Sequence, residues 1–153
     1  MNAHPLHTDH DWQRDDGYVL STRRGRLDMD FIHHYLSVQS YWSQGISRAR
    51  VERAVQHSLP FGVYAPSGEQ AGFARLVTDY SVFGYLRDVF VVDAHQGRGL
   101  ARWIAAAMQT HPALADVGSW LLATRDAHSV YARTGFSPVA HPEWYMQIRK
   151  STD

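Results

Sequence analysis

The chain has 153 residues, a length at which one domain buries roughly two-thirds of its unfolded surface. Its 44% hydrophobic and 20% charged residues exclude the charged, aromatic-poor composition of disordered chains. The 15 basic residues balance 15 acidic ones, so no field of one sign favours nucleic acid or an anionic membrane as a partner. The absence of cysteine excludes disulfides, a thiol nucleophile and cysteine-ligated zinc.

The first 16 residues are polar and acidic, which predicts a poorly ordered N-terminal tail. They lack the apolar stretch of a signal peptide, and no later segment has the length of a membrane span. We therefore expect a soluble, cytoplasmic protein. His4, His7 and His10 recur at every third position, but a solvated tail without a preformed cage explains them better than a metal site. We expect no metal.

A strand and two helices are predicted first. The short apolar run at residues 18–20 is typical of a strand. Asp28 can cap a helix whose apolar residues recur at helical spacing from Phe31 onward, and Ser47 can cap a second helix. That helix ends before Pro60, because proline disrupts a helix interior.

An antiparallel hairpin is predicted next. Residues 61–65 and 70–80 have strand-like patterns and are separated by a turn that contains proline and glycine. Residues 85–92 are almost wholly apolar and predict a central strand. The apolar residues of 100–108 follow the pattern i, i+3, i+4, i+7, which predicts an amphipathic helix.

The C-terminal part predicts further strands around a short helix. Residues 120–124 are typical of a buried strand, and residues 127–133 of a helix that Gly135 terminates. We expect residues 136–148 to form two last strands on either side of His141-Pro142. The order of elements is therefore mixed α and β.

The most informative segment, residues 89–101, joins a buried strand to an amphipathic helix through a glycine-rich connection. Such a junction favours anions, because glycines let a ligand approach the backbone and the first helical N–H groups are free donors. The segment lacks the Gly-Lys-Ser/Thr of nucleoside-triphosphatase phosphate loops. The dinucleotide fingerprint, counted from Gly97, would place Arg102 at its third small residue. The segment therefore predicts a diphosphate site that belongs to neither of these two classes of nucleotide-binding motif.

Two signatures resemble those of the GNAT superfamily. The Gln/Arg-x-x-Gly-x-Gly/Ala motif, which binds acyl-CoA in that superfamily, is similar to Gln96, Gly97, Arg98, Gly99, Leu100 and Ala101. The superfamily motif joins the fourth strand to the third helix, which is also its place among the predicted elements. A later signature is approximated by residues 124–136. The resemblance implies an α/β (α+β) domain over residues 17–150, with a mixed, mostly antiparallel sheet of about six or seven strands and about four helices.

The resemblance further implies an N-acetyltransferase that moves an acetyl group from acetyl-CoA to a primary amine by direct attack. The acceptor, a small molecule, an amino acid or a protein, stays open, and a homodimer is compatible with the family. A non-catalytic acyl-CoA-binding sensor is the alternative, since it would keep the glycine motif without needing Asp88 or Tyr131. An interaction domain that has lost CoA binding would need neither Gly97 nor Gly99.

The resemblance also assigns contacts with acetyl-CoA. The backbone of Phe90, Val91 and Val92 is implied to pair with the pantetheine arm and to polarise the thioester carbonyl. Thr124 stands where the family often has asparagine, so this contact with CoA is weakened or replaced. Tyr131 resembles the family tyrosine that protonates the departing thiolate. Its alternative role is that of a packed aromatic on a helix.

A base and an acceptor surface are the remaining predictions. Asp88 alternates with apolar neighbours, so we expect it to face an apolar setting that strengthens it as the base. The alternative is a structural carboxylate held by hydrogen bonds, with Arg87 or Arg75 nearby. Tyr41 and Trp42 fall between the first two helices, a connection that commonly overhangs the acceptor site in this family. An aromatic pair suits a flat or cationic substrate, although simple packing also explains it.

Overall fold

A single six-stranded sheet lies at the centre of the computed structural model, which describes residues 6–151. The strands are neighbours in chain order, and all adjacent pairs are antiparallel except the last, which is parallel. They are β1 (Asp11–Gln13), β2 (Val19–Ser21), β3 (Leu59–Tyr64), β4 (Gln70–Thr78), β5 (Phe83–Val91) and β6 (Ser119–Leu122).

Four α-helices flank the sheet, as predicted: α1 (Met29–His34), α2 (Arg48–Gln56), α3 (Leu100–Met108) and α4 (His128–Ala132). A π-helical segment, Tyr35–Gln39, extends α1. Both predicted caps are confirmed, because the side chain of Asp28 accepts a hydrogen bond from Phe31 N and that of Ser47 accepts one from Arg50 N. No helix within residues 6–151 is long and apolar enough to cross a membrane.

The core has two clusters of buried side chains that meet at the sheet. The larger cluster joins α3 to the strands and includes Phe61 and Ile104, both fully buried. The smaller cluster joins α1 and α2 to Phe73 and Phe90. The helices thereby remove both sheet faces from water, which is the main driving force for this arrangement. Strand β5 contributes side chains to both clusters.

The N-terminal segment contains a strand that the sequence did not predict. β1 pairs with β2, and Trp12 places its ring 6.0 Å from that of Phe61 and donates from its indole N–H to Thr110 Oγ1 at 3.0 Å. A three-residue strand with one large apolar side chain produces no detectable periodicity. Residues 1–5, which include His4, lie outside the described residues.

The two strands predicted over residues 136–148 are wrong. This range contains a short 3₁₀ turn, Pro142–Trp144, and no strand in the structure. Met146 and Ile148 are 98% and 83% exposed. Pro138 and Pro142 lack the backbone donors that a ladder requires, so the alternating pattern around them does not suffice for pairing.

Candidate active site

A β-bulge in β5 places Asp88 at the edge of the site. Between the pairs Phe73–Phe90 and Arg75–Arg87, β5 contains one residue more than β4. Asp88 lies within this bulge and has a φ of 55°, in the left-handed region where aspartate is more tolerated than most residues. Bulges bend a strand and redirect a side chain, so the bulge determines where the Asp88 carboxylate lies.

β5 and β6 separate beyond Leu86. Their parallel pairing runs from Phe83–Ser119 to Leu86–Leu122, whereas β5 continues to Val91. The second half of β5 therefore has an edge that no described strand covers. Such an edge presents free backbone donors and acceptors and can take an extended ligand as an additional strand.

Of the three residues expected to pair with the pantetheine arm, only Val91 faces this open edge. Val92 donates its N–H to Ala71 O at 3.0 Å, towards β4, so that N–H is not free for a ligand at the open edge. Successive residues of a strand direct their N–H groups to opposite edges, which places Phe90 with Val92 and Val91 opposite them. At Val91 the carbonyl oxygen already accepts a hydrogen bond from the Gln96 side chain at 2.9 Å. The Val91 N–H is therefore the group that can bind a ligand at this edge.

The connection between β5 and α3 has the backbone of an anion site. Gly97 and Gly99 have φ values of 80° and 71°, which explains the requirement for glycine at both positions. The first helical hydrogen bond joins Trp103 N–H to Gly99 O at 3.0 Å, so the N–H groups of residues 100–102 are free of intrahelical partners. They lie at the positive end of the helix dipole.

A cavity of about 490 Å³ lies against this connection. Its lining includes Gln96, Gly97, Gly99, Leu100, Ala101, Arg102 and Arg133. Among the predicted motif residues, Arg98 is exposed and does not line the cavity. Because guanidinium groups and free helical N–H groups both favour phosphate oxygens, the cavity is suited to a diphosphate.

A second cavity of about 350 Å³ brings together the predicted catalytic and acceptor residues. It is lined by Tyr41, Trp42, Asp88, Thr124 and Tyr131, among others. These residues come from the connection before α2, from β5 and from the segment that begins α4. Both α4 and β5 contribute residues to the lining of each cavity.

The Asp88 carboxylate does not face the expected apolar setting. Arg75 Nε donates to one of its oxygens at 2.6 Å, and Trp42 Nε1 donates to the other at 2.8 Å. The Asp88 side chain is only 7% exposed. Protonation of this carboxylate would disrupt a buried ion pair, so the geometry fits the alternative of a carboxylate held for structure.

The Tyr131 hydroxyl is a phenol over the whole physiological range. Burial, with a smaller contribution from the nearby Tyr41, raises the pKa of Tyr131 to about 12. Thr124 Oγ1 accepts a hydrogen bond from Ala127 N at 3.1 Å, and Tyr131 N donates to Ala127 O. Thr124 thus holds the start of the helix that carries Tyr131, in addition to lining the cavity.

Three arginines that line this cavity were not among the predicted site residues. The Arg125 guanidinium lies 3.8 Å from the centre of the Tyr41 ring, and the Tyr41 and Trp42 rings meet edge to face. Arg87 and Arg149 also line the cavity. Arg87 was expected only as a partner of Asp88, and Arg125 lies within the later signature, residues 124–136. Nothing in the sequence indicated Arg149, which follows the range expected to form the last two strands.

Known proteins resemble this chain in sequence and in structure. Residues 26–148 match the family described as the acetyltransferase (GNAT) domain. A candidate acetyltransferase of Gibberella zeae is 32% identical over 111 residues, which cover 61% of this chain and 62% of that relative. The chain therefore matches less than two-thirds of the length of this curated relative.

Two solved structures extend the comparison. A candidate GNAT acetyltransferase of Xanthomonas campestris is 41% identical, covers 87% of this chain and 93% of its own, and superposes with a TM-score of 0.83. Spermidine N-acetyltransferase of Vibrio cholerae, solved with CoA and spermine, is 21% identical, covers 79% of this chain and 81% of its own, and has a TM-score of 0.62. At that identity the second likeness concerns the fold alone.

Proposed function

Because the chain belongs to the acetyltransferase (GNAT) family, we propose that it transfers the acetyl group of acetyl-CoA to the nitrogen of an amine. The observation that carries this proposal is the arrangement along β5. The glycine connection, the open edge at Val91 and the cavity with Tyr131 follow one another over a few residues. This order matches the diphosphate, pantetheine and thioester parts of an acyl-CoA.

Each part of the donor has a complementary group in this chain. The free N–H groups at the start of α3, with Arg102 and Arg133, bind the diphosphate. The Val91 N–H donates to a carbonyl of the extended arm, as an edge strand does to an added strand. The second cavity receives the acetyl end between Asp88 and Tyr131.

Tyr131 acts on the leaving group by donating a hydrogen bond. The amine nitrogen attacks the thioester carbonyl carbon, the C–S bond breaks, and the proton lost by the amine ends on the thiolate or on water. With the pKa of Tyr131 raised to about 12, against about 8.5 for a free thiol, complete proton transfer from Tyr131 to the thiolate is uphill. The phenol therefore stabilises the negative charge of the thiolate by a hydrogen bond and keeps its own proton. The proton that the amine loses is the one that neutralises the thiolate or passes to water.

Asp88 serves in this proposal to hold Trp42 over the acceptor end. Its two hydrogen bonds join the connection before α2 to β4 and β5. A water molecule then removes the amine proton. The opposing role, with Asp88 as the base, requires the carboxylate to release Arg75 or Trp42 during turnover.

The test is a calorimetric titration with acetyl-CoA, followed by a CoA-release assay on pooled amines with a thiol reagent. The chain has no cysteine, so the protein gives no background in that assay. Acetyl-CoA binding with amine-dependent CoA release supports the transferase. Binding without release from a broad amine pool supports the acyl-CoA-binding sensor instead, and no binding by folded protein refutes both.

A further inference from the structure

Arginines dominate the acceptor end of the site. A third cavity of about 540 Å³ lies between the connection before α2 and the strands, and it shares Tyr41, Trp42, Arg87 and Asp88 with the 350 Å³ cavity. Together five arginines and two aspartates line these two cavities: Arg50, Arg75, Arg87, Arg125, Arg149, Asp88 and Asp126. The whole chain has a formal net charge of zero, so this excess of cations is local.

Both aspartates already have partners. Asp88 pairs with Arg75 at 2.6 Å, and Asp126 lies 3.7 Å from Arg125. Arg87, by contrast, has no acidic partner within residues 6–151, although it is half-buried and lies on the wall common to both cavities. A partly desolvated guanidinium without a counter-ion favours binding of an anion.

The Tyr41 ring at this end already has a cation over its face. Arg125 already lies 3.8 Å from the centre of the Tyr41 ring, and the Trp42 ring meets the Tyr41 ring edge to face. A polycationic acceptor would also meet the excess of arginines, and like charges repel strongly where solvent is partly excluded. Of the two kinds of substrate that Tyr41 and Trp42 suggested, flat or cationic, the cationic one is thus disfavoured by their surroundings.

We propose that the acceptor amine carries an anionic group, a carboxylate or a phosphate, which Arg87 binds; this rests on the transferase function proposed above. The planar guanidinium can donate two parallel hydrogen bonds to either oxyanion. One anion at Arg87 would orient the acceptor so that its nitrogen points to the acetyl end of the same cavity. Amino acids and phosphorylated amines are the two classes that meet this requirement.

The test compares matched amines in the CoA-release assay. Each amino acid is compared with its carboxamide, and phosphoethanolamine with ethanolamine, after correction for the fraction of neutral amine. We expect the anionic member of one pair to have a kcat/KM about 10-fold to 100-fold higher, the range for a lost hydrogen bond to a charged group. The pair that shows this difference identifies carboxylate or phosphate as the anion.

Variants then attribute the difference to Arg87. Arg87→Gln should remove the preference for the anionic acceptor and leave the dissociation constant of acetyl-CoA unchanged, while Arg87→Lys restores part of it. Arg53→Gln, at an exposed position of α2 outside these cavities, is the matched control and should keep the full preference. Thermal unfolding of each variant shows that it is folded.

Equal rates for the anionic and neutral members of every pair, or a preference that persists in Arg87→Gln, would overturn the inference but leave the transferase intact. If acetyl-CoA binds and no amine in the panel releases CoA, the transferase proposal fails, and the inference fails with it. The two failures are therefore distinguishable.

Discussion

Replacing Gly99 by alanine tests the glycine connection on which acyl-CoA binding depends. Gly99 is the N-cap of α3 and has a φ of 71°, and a Cβ added there would meet no protein atom within 4 Å. The cost of the substitution is therefore conformational and not steric. A side chain in the left-handed region costs about 1–2 kcal/mol. For a chain of this length that lowers the melting temperature by about 2–8 °C.

The matched control is Gly118→Ala. Gly118 also has no atom within 4 Å of an added Cβ, but its φ does not lie in the left-handed region. Alanine there restricts the unfolded chain without straining the native backbone, so we expect stability to be unchanged or raised by up to about 1 kcal/mol. Thermal unfolding of the two variants without ligand separates backbone strain from any effect of adding a methyl group.

Acetyl-CoA affinity provides the functional part of the same experiment. The Gly99 methyl group would project into the space beside the free N–H groups of α3, where the diphosphate is proposed to bind. Calorimetry should show a dissociation constant raised at least about tenfold for Gly99→Ala, equivalent to about 1.4 kcal/mol, and unchanged for Gly118→Ala. A Gly99→Ala protein that melts and binds like the unmodified chain would refute this reasoning.

Three further predictions concern other parts of the molecule. Tyr131→Phe should lower kcat by about 10-fold to 100-fold in the CoA-release assay without changing the dissociation constant of acetyl-CoA; an equal loss of both would indicate packing alone. Asp88→Asn should raise the KM of the acceptor by loosening Trp42 while the pH profile of kcat keeps its shape; a profile that loses its acidic limb would restore Asp88 as the base. Burial lowers the pKa of His111, whose Nδ1 accepts from Ala113 N, so the unfolded chain binds more protons below about pH 6.5 and the protein loses stability on acidification. Urea unfolding at several pH values should show a weaker dependence in His111→Gln.

Local signals predicted most of the fold. The caps Asp28 and Ser47 and the helical stripe of α3 are encoded within a few residues of where they act, so the sequence could be read directly. β1 could not be predicted because its stability depends on contacts of Trp12 with residues some 50 to 100 positions away. The prediction of strands over residues 136–148 was wrong because a strand-like pattern is not enough. Without a neighbouring strand, such a segment gains no ladder hydrogen bonds.

The candidate site likewise has one part that the sequence could predict and one part that it could not. The glycine connection was predictable because the conformation it needs is specified by glycine itself. The environment of Asp88 was not, because alternation along a strand fails at a bulge, and nothing in the sequence of β5 indicates the extra residue. Its partner Arg75 lies on the adjacent strand, so only the register of β4 against β5 brings the two together.

The open edge of β5 and the glycine connection that follows it also have a common consequence for binding. A sheet edge with unpaired backbone groups is normally covered or blunted, because its donors otherwise invite aggregation. Here one backbone carbonyl of that edge, Val91 O, already accepts a hydrogen bond from the side chain of Gln96, a residue of the glycine connection itself. The neighbouring Val91 N–H is left as a donor, so an occupant of the edge must supply a carbonyl oxygen at that point. An amide or thioester carbonyl on an extended chain meets this requirement, and the same chain then ends in an anion at α3 one connection away. The edge and the helix terminus are therefore complementary to two parts of one ligand. A variant that weakens the edge should reduce the affinity for acetyl-CoA and leave the affinity for free phosphate unchanged, whereas a variant that weakens the helix terminus should reduce both.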